Sequence, residues 1–348
     1  MAKAKEIAGL DCGGAAGSQI ALVLATRLEE MLAFRDEALD FASDKGVHDM
    51  RVASRRVRSA LRDFMPYLNK KRMAEVREEL RRVAGILGAV RDEDVAIALL
   101  EKLSEEAPEE MRAGIGVFAA KREARREEAR RELVEEFAGE SLARLREEFT
   151  RALAQSAKSR GEESDEDDAE GAALTFAGAG REVILARWRE LEKLSRSLYD
   201  PFDTEELHDM RIAAKRLRYA VELLTSCLGG DALKPFAEEV AEMQKSLGEL
   251  HDCDEWVATI GGWLKKDAAR EREKGDAEDE EGKGGDERSG VESAGEREAF
   301  ALRRVAAFWM LDHFMRLRNQ HYRDALGRWR DWEGGEFVAR LRSVIGAG

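Results

Sequence analysis

Apolar residues along the chain recur mostly three or four positions apart, the spacing of helices that bury one face. Val23, Leu24, Leu28, Met31 and Phe34 form one such stripe, and Met50, Ala53, Val57, Ala60, Leu61 and Phe64 form another. The pattern predicts helices over about 18–43, 46–68, 70–90 and 93–153, the last broken near Pro108. It predicts four more over about 176–199, 204–228, 231–250 and 254–345. Pro201, Asp203 and Glu206 read as a helix start with Asp203 as N-cap, and Gly229 and Gly230 read as stops. The pairs Leu87-Gly88 and Leu247-Gly248 are expected at a close helix contact or a helix end. With only 4 prolines beside many Ala, Glu, Leu and Arg, the predicted fold class is all-α.

The helices come in two matching sets. VHDMRVASRRVRSAL at 47–61 aligns with LHDMRIAAKRLRYAV at 207–221, an offset of 160 residues. LGAVRDEDV at 87–95 aligns with LGELHDCDE at 247–255 at the same offset. The stripe from Val23 to Phe34 is matched by Val183, Ile184, Trp188, Leu191 and Leu194. Two motifs at one unbroken offset indicate a tandem duplication. Each half is expected to form a four-helix bundle: 1–158, an acidic linker at 159–172, and 173–348 with a charged disordered insertion at about 267–296.

Charge changes this picture locally. The net charge is -14. Glu162 to Glu170 holds seven acids and no base, and Glu273 to Glu287 holds eight acids against Lys274 and Lys283. Those two stretches lack aromatics and any apolar period, so they read as solvated loops. From His48 to Arg82, by contrast, eleven Lys and Arg face five acids. A local basic field is therefore hidden by the whole-chain balance.

On a helical wheel Arg51, Arg55, Arg58 and Arg62 fall within an arc of about 80°, with His48 at its edge, opposite the apolar stripe. His208, Arg211, Lys215 and Arg218 repeat the arrangement, but Glu222 stands where the first copy has Arg62. Like charges at this spacing repel, so a face that repeats them twice is expected to meet an anion. The competing expectation is that acids of neighbouring helices pair with these arginines. Arginine's planar fork suits phosphate oxygens, and a row rising ~6 Å per four residues suits a linear polyanion better than a single phosphate. His48 and His208 are expected to join the stripe when protonated, or to orient an arginine.

Other chemistry is weaker. Asp92, Asp94, Asp252 and Asp254 have the type of side chain that holds hard cations, but acids before an apolar run read first as N-caps or structural partners. No metal site, and no cofactor, is expected. The sequence has no HExxH, P-loop, strand-linked GxGxxG or credible Ser/His/Asp set, and Cys253 is a poor nucleophile candidate because Glu93 holds its place in the first copy. The three cysteines, Cys12, Cys227 and Cys253, are widely spaced and are expected to stay unpaired, as in a reducing cytoplasm. No apolar run approaches ~18 residues, so no membrane span is expected. The short Ile20–Ala25 run before Arg27 does not read as a signal peptide.

HDMRVASRRVR and HDMRIAAKRLRYA, each followed by LG and a DxD turn, resemble the CHAD (conserved histidine α-helical domain) family over about residues 18–345. The resemblance implies two four-helix bundles about a pseudo-twofold axis and a basic surface or channel that binds inorganic polyphosphate without enzymatic turnover. It also implies association with polyphosphate granules. Some members are fused to a CYTH-type triphosphatase; its ExExK motif is absent here, so no such partner domain is expected. Mapped onto this sequence, the polyphosphate-binding motif covers His48, Arg51, Arg55, Arg56 and Arg58, with Arg62 extending the first stripe. The second copy covers His208, Arg211, Lys215, Arg216 and Arg218. Arg77, Arg81, Arg82, Lys245, Arg316, Arg318 and Arg323 are further bases outside the motif. The alternatives are nucleic-acid binding, not expected because Tyr219 is the only nearby aromatic, and a metal-dependent phosphohydrolase built on the Asp/His turns.

Overall fold

The computed structural model describes residues 4–162, 174–281 and 294–346. Its regular structure is helical, apart from one isolated antiparallel bridge between Ala15 and Thr175. The helices are α1 (Ala16–Leu32), α2 (Arg35–Leu39), α3 (Lys45–Phe64), α4 (Ala74–Glu106), α5 (Glu109–Ala138) and α6 (Ser141–Glu162). They continue as α7 (Phe176–Leu194), α8 (Thr204–Leu224), α9 (Lys234–Glu281), α10 (Ala294–Gly334) and α11 (Phe337–Val344). No described helix is long and apolar enough to cross a membrane.

Local chemistry explains several ends. Asp203 caps α8, accepting from the Glu206 backbone N–H at 3.0 Å, and Thr175 caps α7 by accepting from Gly178 N–H at 3.1 Å. The residue before Pro108 is extended, so α4 and α5 are separate helices as the proline predicts. Gly229 and Gly230 have positive φ of 120° and 55°, and the Gly230 N–H donates to Thr225 O at 2.8 Å just past the end of α8.

Two sequence expectations fail at the same place in each half. The breaks near residues 90–93 and 250–254 do not exist: α4 and α9 run straight through them. Gly88 and Gly248 therefore lie inside helices, and a Cβ on Gly248 would meet nothing nearer than Arg211 Nε at 3.8 Å. The flanking acids are not N-caps. Asp92 accepts from Arg51 at 2.8 Å, Asp94 sits 3.8 Å from Arg130 and 3.9 Å from Arg126, and Asp254 accepts from Arg318. Arginines on other helices supply the partners that backbone N–H groups were expected to supply.

A third expectation fails at the second charged stretch. Its start, 267–281, is the helical end of α9 rather than disorder, since Ala, Arg, Lys and Glu favour helix there. Residues 282–293, and 163–170 of the first acidic stretch, lie outside the described residues.

The apolar interior does not divide at the repeat boundary. One cluster runs from Ile20, Leu24 and Phe64 through Phe137 and Phe149 to Phe176, Leu217 and Phe337. A second joins Leu100, Ile115 and Phe118 to Trp256, Ile260, Met310 and Phe314, with the Trp256 and Phe314 rings stacked at 5.3 Å. At the Ala15–Thr175 bridge, Ala16 N–H donates to Leu174 O and Phe176 N–H donates to Gly14 O, both at 2.9 Å. Each bond is the other moved by 160 residues. Beside it Cys12 and Cys227 form a disulfide, against the expectation of unpaired cysteines; the chain crossing at the bridge brings together residues 215 apart in sequence. Cys253 is free and buried.

Candidate functional site

The apolar faces of α3 and α8 point into the main core: Met50, Ala53, Val57, Phe64, Met210, Ala213, Leu217 and Leu224 are buried. Their basic faces are thereby turned to a common groove, walled by α4, α5 and α9. The groove has two chambers. The smaller, about 350 Å³, is lined by Arg55, Arg58, Arg62, Arg77, Arg81, Lys215 and Arg216, with Tyr219 and no carboxylate. The larger, about 1080 Å³, shares Arg55, Arg58 and Lys215 and adds Arg51, Arg211, Arg122, Arg125 and Lys245. Carboxylates enter only there, as Asp92, Glu249, Asp252 and Glu255.

The charges have little compensation. Among the described residues Arg55, Arg58, Arg77, Arg211 and Lys215 have no carboxylate partner, and Arg55 donates only to the Tyr219 hydroxyl at 3.3 Å. Burial, then the proximity of Arg81 and Arg55, makes the Arg58 proton easier to lose than usual. Burial does the same to Arg51 and Arg62, with Asp92 and Asp63 opposing it. Lys215 is affected most: burial first, then Arg211, Arg55, Arg51 and Arg62, brings its amine down to about 7. A site that holds cations against these penalties is arranged for an anion.

The sequence-derived site residues divide by placement. Arg51, Arg55, Arg58, Arg62, Arg211, Lys215 and Arg216 line the groove. Arg56 donates to Glu30, which also accepts from Arg27 at 2.6 Å; the Glu30 side chain is 1% exposed. At the positions 160 residues on, Arg187 and Arg216 share Glu190. These two triads are a duplicated structural network. Arg218 donates to Glu222 at 2.7 Å and to Gln244 at 3.3 Å. His208 Nδ1 lies 3.2 Å from His251 Nδ1, while burial and Arg91 push the His48 imidazolium to lose its proton more readily.

Of the bases outside the motif, Arg77, Arg81 and Lys245 line the groove. Arg82 pairs with Glu79 and Glu136, Arg316 with Asp312, and Arg318 with Asp254. Arg122 and Arg125 were not singled out from the sequence. They sit on α5, outside both copies of the motif, and only the chain reversal at Pro108 brings that helix to the groove.

The turns that suggested metal or covalent chemistry are built otherwise. No group of three or more His, Cys, Asp or Glu able to hold a metal occurs among the described residues. Burial, then Asp252 and Asp254, pushes the Cys253 thiol up to about 12, which suits a core residue rather than a nucleophile.

Comparison with known proteins agrees with this architecture. The chain is 30% identical over 227 residues to two proteins of Mycobacterium tuberculosis, Uncharacterized protein MT2285 (strain CDC 1551 / Oshkosh) and Uncharacterized protein Rv2226 (strain ATCC 25618 / H37Rv). Each match takes in 64% of this chain and 41% of the relative, so the chain spans less than half of their length. The fold is similar to the crystal structure of the CHAD domain from the plant Ricinus communis, with TM-score 0.63 and 18% identity over 91% of this chain and 95% of that one. It is also similar to PptA from Streptomyces chartreusis, with TM-score 0.53 and 14% identity over 89% and 100% of the two chains. The CHAD domain family model matches residues 22–261, most of both motif copies and the groove between them, and this chain belongs to the CHAD domain family.

Proposed function

We propose that this chain is a non-enzymatic binding module for inorganic polyphosphate. The observation that carries the reading is the smaller chamber: seven cationic side chains from α3, α4 and α8 around one cavity, with no carboxylate among its lining. Membership of the CHAD domain family and the likeness of fold are consistent with a polyphosphate-related role. The ligand threads along α3, where Arg51, Arg55, Arg58 and Arg62 rise about 16 Å from first to last. Guanidinium forks bind its phosphate oxygens and displace its counterions, so affinity falls steeply with salt. Anchoring at polyphosphate granules in the cytoplasm follows from such binding.

The second chamber tempers the metal-dependent hydrolase alternative. Its carboxylates are pair partners or stand beside Arg211, and burial raises the Asp252 carboxyl above its ordinary range. Nucleic acid fares less well than polyphosphate because the one aromatic in the smaller chamber, Tyr219, is engaged by Arg55.

The test is a titration with long-chain polyphosphate at two salt concentrations, with duplex DNA and orthophosphate alongside. Tight, salt-sensitive binding that neither control matches supports the module. Equal affinity for DNA of matched charge overturns the preference for polyphosphate, and phosphate release on adding Mg²⁺ overturns the non-enzymatic reading.

A further inference from the structure

Lys215 stands where the two chambers of the groove meet and lines both of them. It is the one lysine among the groove cations of α3 and α8, at the position matching Arg55 in the first copy. Its surroundings are cationic on every side. Arg211 precedes it by one turn on α8, and Arg51, Arg55 and Arg62 face it from α3. Arg77 and Arg81 of α4 close the smaller chamber. In the larger chamber α5 presents Arg122 and Arg125, and α9 presents Lys245. The carboxylates of that chamber, Asp92 on α4 and Glu249, Asp252 and Glu255 on α9, do not pair with Lys215. Asp92 is taken by Arg51.

An ammonium in such a place is held against both desolvation and repulsion. The amine accordingly titrates at about 7, so near neutral pH a large share of the free protein carries it uncharged. A polyanion in the groove reverses the sign of the field. Phosphate oxygens then favour the ammonium, and the amine takes a proton from solvent.

We propose that polyphosphate binding in this groove is proton-coupled, with Lys215 taking up a proton as the polyanion enters. The inference rests on the polyphosphate reading above and adds its regulation. Below the free-state value the proton is already in place and affinity is at its plateau. Above it each bound chain must first protonate Lys215, so affinity falls as pH rises. With the bound amine titrating well above 8, the fall between pH 6 and pH 8 is about tenfold. The arginines contribute nothing to this slope, since a guanidinium stays charged throughout.

The experiment measures long-chain polyphosphate affinity at pH 6, 7 and 8 for the wild type and for Lys215→Arg, whose charge is permanent. The histidines of the motif helices and the terminal phosphates of the ligand are common to both, so the difference between the two slopes belongs to Lys215. Calorimetry in two buffers of different ionisation enthalpy counts protons directly; about half a proton per site at pH 7 is expected for the wild type and close to none for Lys215→Arg. A wild-type slope that Lys215→Arg flattens by about tenfold is the expected result. Equal slopes, or equal proton counts, overturn the inference while leaving polyphosphate binding intact. No binding at any pH overturns the polyphosphate reading itself. Helical circular dichroism of Lys215→Arg matching the wild type verifies that the variant is folded.

Discussion

The two motif helices began as copies and now do different work. On α3 all four stripe arginines reach the groove, and Arg58 meets no carboxylate among the described residues. On α8 the residue matching Arg58 is Arg218, which is drawn away by Glu222, the residue matching Arg62. Meanwhile the scaffold triads have stayed alike: Arg27, Glu30 and Arg56 in the first half, Arg187, Glu190 and Arg216 in the second. The scaffold ion pairs kept their geometry while the ligand-facing positions diverged. A buried carboxylate between two arginines tolerates little change, whereas a solvated groove position can trade one cation for another.

The largest way to sharpen this contrast is to strike the scaffold. Glu30→Gln leaves Arg27 and Arg56 beside a neutral amide in a nearly sealed site, and is expected to lower unfolding free energy by about 3 kcal/mol. Glu190→Gln, in the more open triad, is expected to cost less, about 1 kcal/mol. Denaturant titration of both variants, with polyphosphate affinity measured on the folded fraction, separates stability from binding. Equal losses would break the distinction drawn between the two triads.

A smaller effect should separate the matched arginines. Arg58→Gln removes a groove cation and is expected to weaken polyphosphate binding roughly tenfold. Arg218→Gln, at the equivalent position, is expected to change affinity less than about twofold, because Glu222 already neutralises that side chain. Similar losses at the two positions would mean that the second helix contributes as much as the first.

The smallest effect runs the other way. Glu222→Gln frees Arg218 on the side of the groove where Gln244 lies, and a two- to threefold gain in affinity is expected, together with a salt dependence steeper by about one released counterion. A loss of affinity would show that Glu222 positions Arg218 for the ligand instead of withholding it.

Periodicity made the faces of α3 and α8 readable, because a helix that buries Met50, Ala53 and Val57 has no choice about where Arg51, Arg55 and Arg58 point. The Asp203 cap and the break at Pro108 were equally local. What failed was long range. Asp92 and Asp254 looked like caps because the sequence does not show that Arg51 and Arg318 arrive opposite them. Arg122 and Arg125 belong to the groove only through the path of α5, and Cys12 meets Cys227 only because the chain crosses itself at Ala15 and Thr175. Arg56 and Arg216 fit the motif, yet their acid partners on α1 and α7 could be assigned only from packing.

The most direct test of the central claim compares two double charge reversals of identical net change. Arg55→Glu with Arg58→Glu alters the junction of the chambers, and Arg144→Glu with Arg151→Glu alters exposed positions on α6. In titrations with long-chain polyphosphate at physiological salt, the groove pair is expected to lose at least about a hundredfold in affinity and the α6 pair to stay within about threefold of wild type. Equal losses in both would reduce the binding to net charge, and an unaffected groove pair would place the ligand elsewhere on the molecule.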